Sequence, residues 1–451
     1  MCPRGSDPDD EPGHEGTGVV AGVPAEPVAA ARRTVRSVAF LTATEPEPRR
    51  YGKPVVLGGM LDHLCDRLGP DAVHLVLIGR TDVERPPVPY HRHVLPKPGT
   101  RQQVTAVLRR VVLPPRHPLQ EAVLYSPRIR DALRRLLAEI DADLEIWDTV
   151  RTGQYAPDMP RRRRVLYVDD LFSERYAAML RDLDGESGAN PGGEFQKLLP
   201  GPARRLLASP RVHRPLLRLE RDLVARSEVR QPHWFDRSLL ISAEETALLR
   251  GRTDAPHVET LPPLLRDPGR LARGAVGEPR FTFLGGFDYA PNLQGLDWFL
   301  THCRDDVLAT LPQVGIDVVG AGTDRGLDAA RPWGDRVRFH GWVDDLDAVL
   351  GGSAALLSPL RTGSGVKIKV LEALARGLPV VATPAGVRGV EATDETGCLV
   401  ADDAAGLAKA MATACDPAVN ARLSDAARAA WDAHYAADVV RRRYDEVFSL
   451  A

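Results

Sequence analysis

Between Ser358 and Thr383 the chain runs SPLRTGSGVKIKVLEALARGLPVVAT, which sets Arg361, Lys367, Lys369 and Glu372 around a Gly-Ser-Gly turn. Apolar runs of strand type flank it, Ala354 to Leu357 before and Val380 to Ala382 after. Val366, Val370, Leu371 and Leu374 recur at helical spacing between them, with Gly377 as the stop. The turn thus joins the carboxyl end of a strand to the start of a helix. Gly363 and Gly365 let backbone come close to a ligand. A helix start adds free N–H groups and about half a positive charge. With Arg361, Lys367 and Lys369 nearby, the chemistry available is the holding of a polyanion, a diphosphate above all. The same residues allow a structural reading. Ser364 can serve as an N-cap. Lys369, Glu372 and Arg376 can form a solvated face of i,i+3 and i,i+4 pairs, worth a few tenths of a kcal/mol. The turn matches neither the P-loop nor the dinucleotide fingerprint.

Such residues need a scaffold. SVAFLT (Ser37 to Thr42), AVHLVLIGR (Ala72 to Arg80), LEIWDTV (Leu144 to Val150) and RVLYVDD (Arg164 to Asp170) read as strands. Val56, Met60, Leu61, Leu64 and Leu68 predict a helix between the first two, closed by Gly69. WFDRSLLISAEETALLRG adds one more strand and helix. From Thr260 to Pro279 the pattern lapses into a Pro- and Gly-rich connection, after which a second alternating series begins at RFTFLGG. Alternating strands and helices predict parallel sheets covered on both faces. The expected fold class is α/β, with two doubly wound Rossmann-like domains facing each other across a cleft. Ligands in such sheets bind beyond the carboxyl ends of the strands.

The chain of 451 residues suits two domains, and its 59 basic residues nearly cancel 61 acidic ones. That balance gives no global field for nucleic acid. Five scattered cysteines without a C-x-x-C pair predict neither a zinc site nor a disulfide framework and fit a reducing, cytoplasmic setting. No apolar run reaches the roughly 18 residues of a membrane span. Residues 1–34, acidic and rich in Pro and Gly, are expected to be a disordered tail dispensable for folding. From Lys197 to Arg230, nine basic residues face three acidic ones, with leucines interspersed. This predicts either a peripheral contact with an anionic membrane or the solvated face of a structural helix.

The run from Gly341 to Val390 closely resembles the donor-binding half of group 1 glycosyltransferases, family 4, which have the GT-B fold. FLGGFDYAPNLQGLDWF (Phe283 to Phe299) resembles the first turn of that half in one branch, and VDDLFSERY and WFDRSLLISAEE resemble that branch's acceptor half. The resemblance implies an acceptor domain over 35–262 completed by a C-terminal helix (432–451), a linker over 263–279 and a donor domain over 280–431. It implies a retaining transfer from a nucleotide-diphospho-sugar to a glycan or lipid-linked acceptor, without a metal or further cofactor. It implies that Glu372 holds the ribose hydroxyls. Ser364 stands where many relatives carry a glutamate for the donor sugar, so sugar recognition departs from their pattern. The first turn, with Gly285, Gly286 and Asn292, lacks the usual cations, which passes the diphosphate to Arg361, Lys367 or Lys369. Asp169 stands where relatives often have a histidine beside the reacting centre. It either orients an acceptor hydroxyl or, with Asp170, caps the following helix. His340 is expected to pack at a strand end. Two alternatives remain beside the transferase: a nucleotide-sugar hydrolase or epimerase, and a non-catalytic sugar-nucleotide-binding subunit of a glycan assembly complex.

Overall fold

The computed structural model describes residues 34–49, 52–80, 87–112, 115–184, 210–272, 279–363 and 365–450. The expected tail up to residue 33, Ser364, residues 197–209 of the basic segment and 273–278 of the connection lie outside the described residues.

Among the described residues, seven strands form the first sheet: β1 (Val38–Thr42), β2 (Val73–Arg80), β3 (His91–Pro96), β4 (Leu144–Asp148), β5 (Arg164–Asp169), β6 (Arg237–Leu240) and β7 (Val258–Thr260). Their order is β3-β2-β1-β4-β5-β6-β7. Six more form the second: β8 (Arg280–Leu284), β9 (Gly315–Val319), β10 (Val337–Gly341), β11 (Ala355–Ser358), β12 (Val380–Ala382) and β13 (Cys398–Val400), in the order β10-β9-β8-β11-β12-β13. Every pairing is parallel. Parallel sheets are covered on both faces, which is why the central strands read as unbroken apolar runs. Every residue of β1 is buried: Val38 and Phe40 meet Leu57, Met60 and Leu64 of the helix Gly52–Leu68, while Ala39 and Leu41 meet Leu133 and Leu137 on the other face.

Strand order reverses between β1 and β4 and again between β8 and β11. Crevices open at the carboxyl ends of those pairs, where ligands of doubly wound sheets bind. The strands that the apolar runs do not reveal are β3, β7 and β13, all at sheet edges. Two have three residues and the third reads HRHVLP, so none carries the signal of a buried strand.

The chain ends by crossing back. The helix Pro417–His434 places Ala427 and Trp431 in the core of the second sheet. The next helix, Ala437–Phe448, places Val440, Tyr444, Val447 and Phe448 in the core of the first. Val35 N–H donates to the Ser449 carbonyl at 3.1 Å, so the start of the first sheet meets this last helix.

The helix Pro210–Arg230 uses its apolar face inside the fold. Leu217 and Val224 pack on Tyr176 and Leu180 of the helix Phe172–Asp184, and Leu223 packs on Val111 and Ala122. The leucines 217 and 223, expected as part of an interfacial face, are fully buried. No helix among the described residues is long and apolar enough to cross a membrane.

Candidate active site

On the second sheet, β11 ends at the buried Ser358, and the helix that follows spans Ile368–Ala375. The spacing predicts an earlier start. Gly365 at φ +70° and Lys367 in an extended conformation hold the chain out of the helix until Ile368. The N-cap position falls to Lys367, whose side chain makes no capping hydrogen bond. The turn folds back on itself, with Lys367 Nζ donating to the Gly365 carbonyl at 3.1 Å. From the first sheet's side, a Cβ on Gly365 would stand 3.3 Å from Asp170 Oδ2. The Glu245 carboxylate accepts from the backbone N–H groups of both Leu171 and Gly365.

Lys369 is fixed by Asn292, to whose Oδ1 it donates at 2.8 Å, and it lies 4.7 Å over the ring of Phe283. Asn292 in turn donates to the Gly286 carbonyl at 3.0 Å. Gly285 has no room for a side chain, since a Cβ there would sit 2.6 Å from the Asn292 amide. The uncharged first turn is thus tied to the cationic one through Asn292. No carboxylate meets the Lys369 ammonium among the described residues. Burial pulls its pKa down to about 7, and the adjacent Lys367 pushes the same way. Burial likewise takes Lys367 down to about 8, with Asp170 and Glu245 resisting and Arg388 and Arg175 adding to the fall. Burial thus works against the charge of both lysines at this turn.

Glu372 lies one turn further along and makes no side-chain hydrogen bond among the described residues. Burial raises its pKa and Arg376 opposes the rise. The alternative of a salt-bridged surface face requires Glu372 to pair with Lys369 and Arg376. Lys369 bonds to Asn292 instead, and Arg376 Nε bonds to Asp347 at 2.6 Å. Arg361 stands apart from the lysines: it donates to the Asp402 carbonyl and Oδ1 at 2.8 and 2.9 Å and stacks 4.4 Å from the Trp298 ring centre. The turn brings Gly285, Gly286, Gly363, Gly365, Lys367, Lys369 and Glu372 to the same end of the sheet, with Arg361 turned to the outer side.

Across from it, Asp169 ends β5 at φ +74°, an uncommon backbone for a residue with a side chain. Its carboxylate accepts from Lys53 at 2.9 Å and from the Tyr167 hydroxyl at 3.2 Å. Lys53 also pairs with Asp148 at 2.6 Å, and Thr42 Oγ1 donates to Asp148 Oδ2 at 2.6 Å. The ends of β1, β4 and β5 and the start of the helix Gly52–Leu68 therefore meet in one buried cluster. Burial raises the Asp169 pKa, Lys53 lowers it, and Asp170 and Asp148 raise it again. Burial works against charge on Lys53, but Asp148 and Asp169 outweigh it and lift its pKa. The capping alternative for Asp169 is met by another residue, because Glu228 takes the Ser173 N–H at 3.2 Å.

Asn292 enters the sequence reading only as an uncharged position, whereas Lys53, Asp148 and Thr42 escape it. Their only signals are a polar residue closing an apolar strand at Thr42 and Asp148, and a lysine at a helix start. His340 pairs with Asp317 at 2.7 Å near the end of β10. Lys53→Met is expected to leave two buried carboxylates without a cation and to cost about 3–5 kcal/mol of unfolding free energy. Adding Asp148→Asn should recover part of that loss, measured by urea unfolding of both variants.

With this geometry in hand, the chain compares with known proteins as follows. HepE from Anabaena, solved in complex with UDP, superposes with a TM-score of 0.61, covering 92% of this chain and 99% of that one at 12% identity. The fold is GT-B. Sucrose-phosphate synthase from Thermosynechococcus elongatus shares this GT-B architecture with a TM-score of 0.62, covering 92% and 98% of the two chains at 16% identity. Residues 278–416 match the family model described as "Glycosyl transferases group 1". A phosphatidyl-myo-inositol mannosyltransferase of Propionibacterium freudenreichii subsp. shermanii is 37% identical over 122 residues. The match covers 27% of this chain and only 29% of that enzyme's length.

Proposed function

We propose that the protein is a retaining glycosyltransferase of family 4 that moves a sugar from a nucleotide-diphospho-sugar to an acceptor hydroxyl in the synthesis of a glycan or glycoconjugate. The observation that carries this reading is the strand–helix turn itself, where Lys367 stands at the N-cap and Lys369 bonds to Asn292 with no carboxylate partner among the described residues. A diphosphate at this turn returns both to full charge, and they stabilise it most as it departs with the nucleotide. The match of residues 278–416 to group 1 glycosyl transferases supports the same donor chemistry, as does UDP in HepE.

In this reading Glu372, without a side-chain hydrogen bond among the described residues, accepts the ribose hydroxyls. Gly285 and Gly286 line the first turn, and the lysines do the work that a metal does elsewhere. The Asp169–Lys53–Asp148 cluster faces the acceptor. Asp169, held between Lys53 and Tyr167, orients the acceptor hydroxyl and stabilises positive charge at the sugar carbon. The acceptor attacks from the face that the nucleotide leaves. Ser364 opens the sugar subsite relative to relatives that carry glutamate there.

The test is incubation with a panel of labelled UDP-, GDP- and ADP-sugars, with and without lipid-linked and oligosaccharide acceptors. Acceptor-dependent product with the donor's anomeric configuration is the expected result. Nucleotide release at the same rate without acceptor would mean a hydrolase. Tight nucleotide binding without turnover on any acceptor would mean a binding subunit.

A further inference from the structure

Before the helix Pro210–Arg230 is reached, the chain passes through a stretch with no acidic residue between Glu84 and Glu121. It contains the helix Thr100–Val107 and, continuing it, a π turn over Leu108–Val112. The inner side of this element is ordinary core: Val107 and Val111 pack towards Leu217 and Leu223, which anchors it to the acceptor half. The outer side is not ordinary. Val104, Leu108 and Val112 are 47%, 50% and 51% exposed, three of the eight large apolar side chains most open to solvent among the described residues.

Their alignment depends on the π turn. At 3.6 residues per turn, an α-helix would carry Val112 about 80° round from Val104. The wider π turn uses more residues per revolution and brings Val112 back beneath Leu108 and Val104. Lys97, Arg101, Arg109 and Arg116 are all exposed around this ridge, and none forms an ion pair among the described residues.

We infer that this ridge docks the acceptor half on an anionic lipid bilayer, with Val104, Leu108 and Val112 entering the interface and the four cations meeting the headgroups. Charge decides between the possible occupants. A second copy placed on the same ridge would bring four unpaired cations against four. A neutral surface would leave all four unused, whereas an anionic bilayer satisfies the apolar line and the charges together. The ridge thus takes over the membrane role that the leucines buried at 217 and 223 do not fill. The inference stands apart from the donor chemistry, since none of these residues belongs to either turn.

The experiment is flotation of the full chain with phosphatidylcholine vesicles and with vesicles carrying 30% phosphatidylglycerol. Wild type is expected to bind the anionic vesicles at least tenfold more tightly than the neutral ones. Val104→Ser/Leu108→Gln/Val112→Ser should weaken that binding at least tenfold. Arg101→Glu/Arg109→Glu should abolish the preference, since each cation near such a surface is worth about fivefold. All these side chains are exposed, so the thermal midpoints should match wild type. Equal binding to both vesicle types, or undiminished binding by the apolar triple variant, would overturn the inference. So would sedimentation velocity showing a lipid-free dimer that Leu108→Gln dissolves, which would assign the ridge to a second copy.

Discussion

Lys369→Ala is expected to lower kcat by roughly 30- to 1000-fold, the effect of removing about 2–4 kcal/mol of charge-assisted transition-state stabilisation. The size follows from its surroundings. The ammonium is fixed by Asn292 at 2.8 Å and has no carboxylate partner among the described residues, so on the proposed reading its charge serves the departing diphosphate. Glu372→Ala should behave differently, because ribose hydroxyls do not change during transfer. It should raise the donor KM more than it lowers kcat. Asn292→Ala should fall between them, since it frees the lysine without removing it. Steady-state kinetics of the three variants, each with an unchanged melting temperature, separates these cases. Near wild-type kcat and KM in both Lys369→Ala and Glu372→Ala would remove the diphosphate clamp.

The second large effect is on pH. Burial pulls free Lys369 down to about 7 and free Lys367 down to about 8. A bound diphosphate lifts both values back towards the ordinary lysine range. Below the free values both lysines are already charged, and binding takes up no proton. Above them, each neutral lysine must be protonated before it can hold a phosphate. Affinity for a nucleotide-diphospho-sugar should therefore fall as pH rises, by about a hundredfold between pH 6.5 and 8.5, from two linked protonations. The diphosphate diester does not itself titrate in that window. Calorimetry in buffers of different ionisation enthalpy should show proton uptake growing across it. Lys369→Arg should flatten most of the curve, because guanidinium stays charged throughout. A pH-independent Kd, with no proton uptake, would mean that neither lysine meets the phosphates.

The turn before Ile368–Ala375 is legible in the sequence because everything it needs lies within a few residues: a strand run, a Gly-Ser-Gly, two lysines and a helix pattern. Central strands such as β1 and β11 are legible for a similar reason, since burial on both faces leaves a continuous apolar run. What the sequence hides is pairing across distance. Lys53 and Asp148 lie far apart along the chain and only the order β1-β4-β5 brings them to Asp169. Arg361 has the right charge and position for the diphosphate, but nothing local reveals that Asp402 and Trp298 hold it outward. Asn292 reads as a lost cation until the fold shows it holding the cation that remains. The leucines of Pro210–Arg230 have an interfacial pattern, and only the packing of Phe172–Asp184 against them shows where that face goes.

The last crossing of the chain bears on how the molecule is made. Tyr444, Val447 and Phe448 share a core with Val38 and Phe40, which leave the ribosome some four hundred residues earlier. The first half to be synthesised is therefore the last to close. Its sheet must wait, with the groove for Ala437–Phe448 open, while the second sheet can form as soon as Trp431 has emerged. Nascent chains stalled before Tyr444 should hold a protease-resistant second-sheet half attached to a protease-sensitive first-sheet half, the reverse of the order in which they were translated.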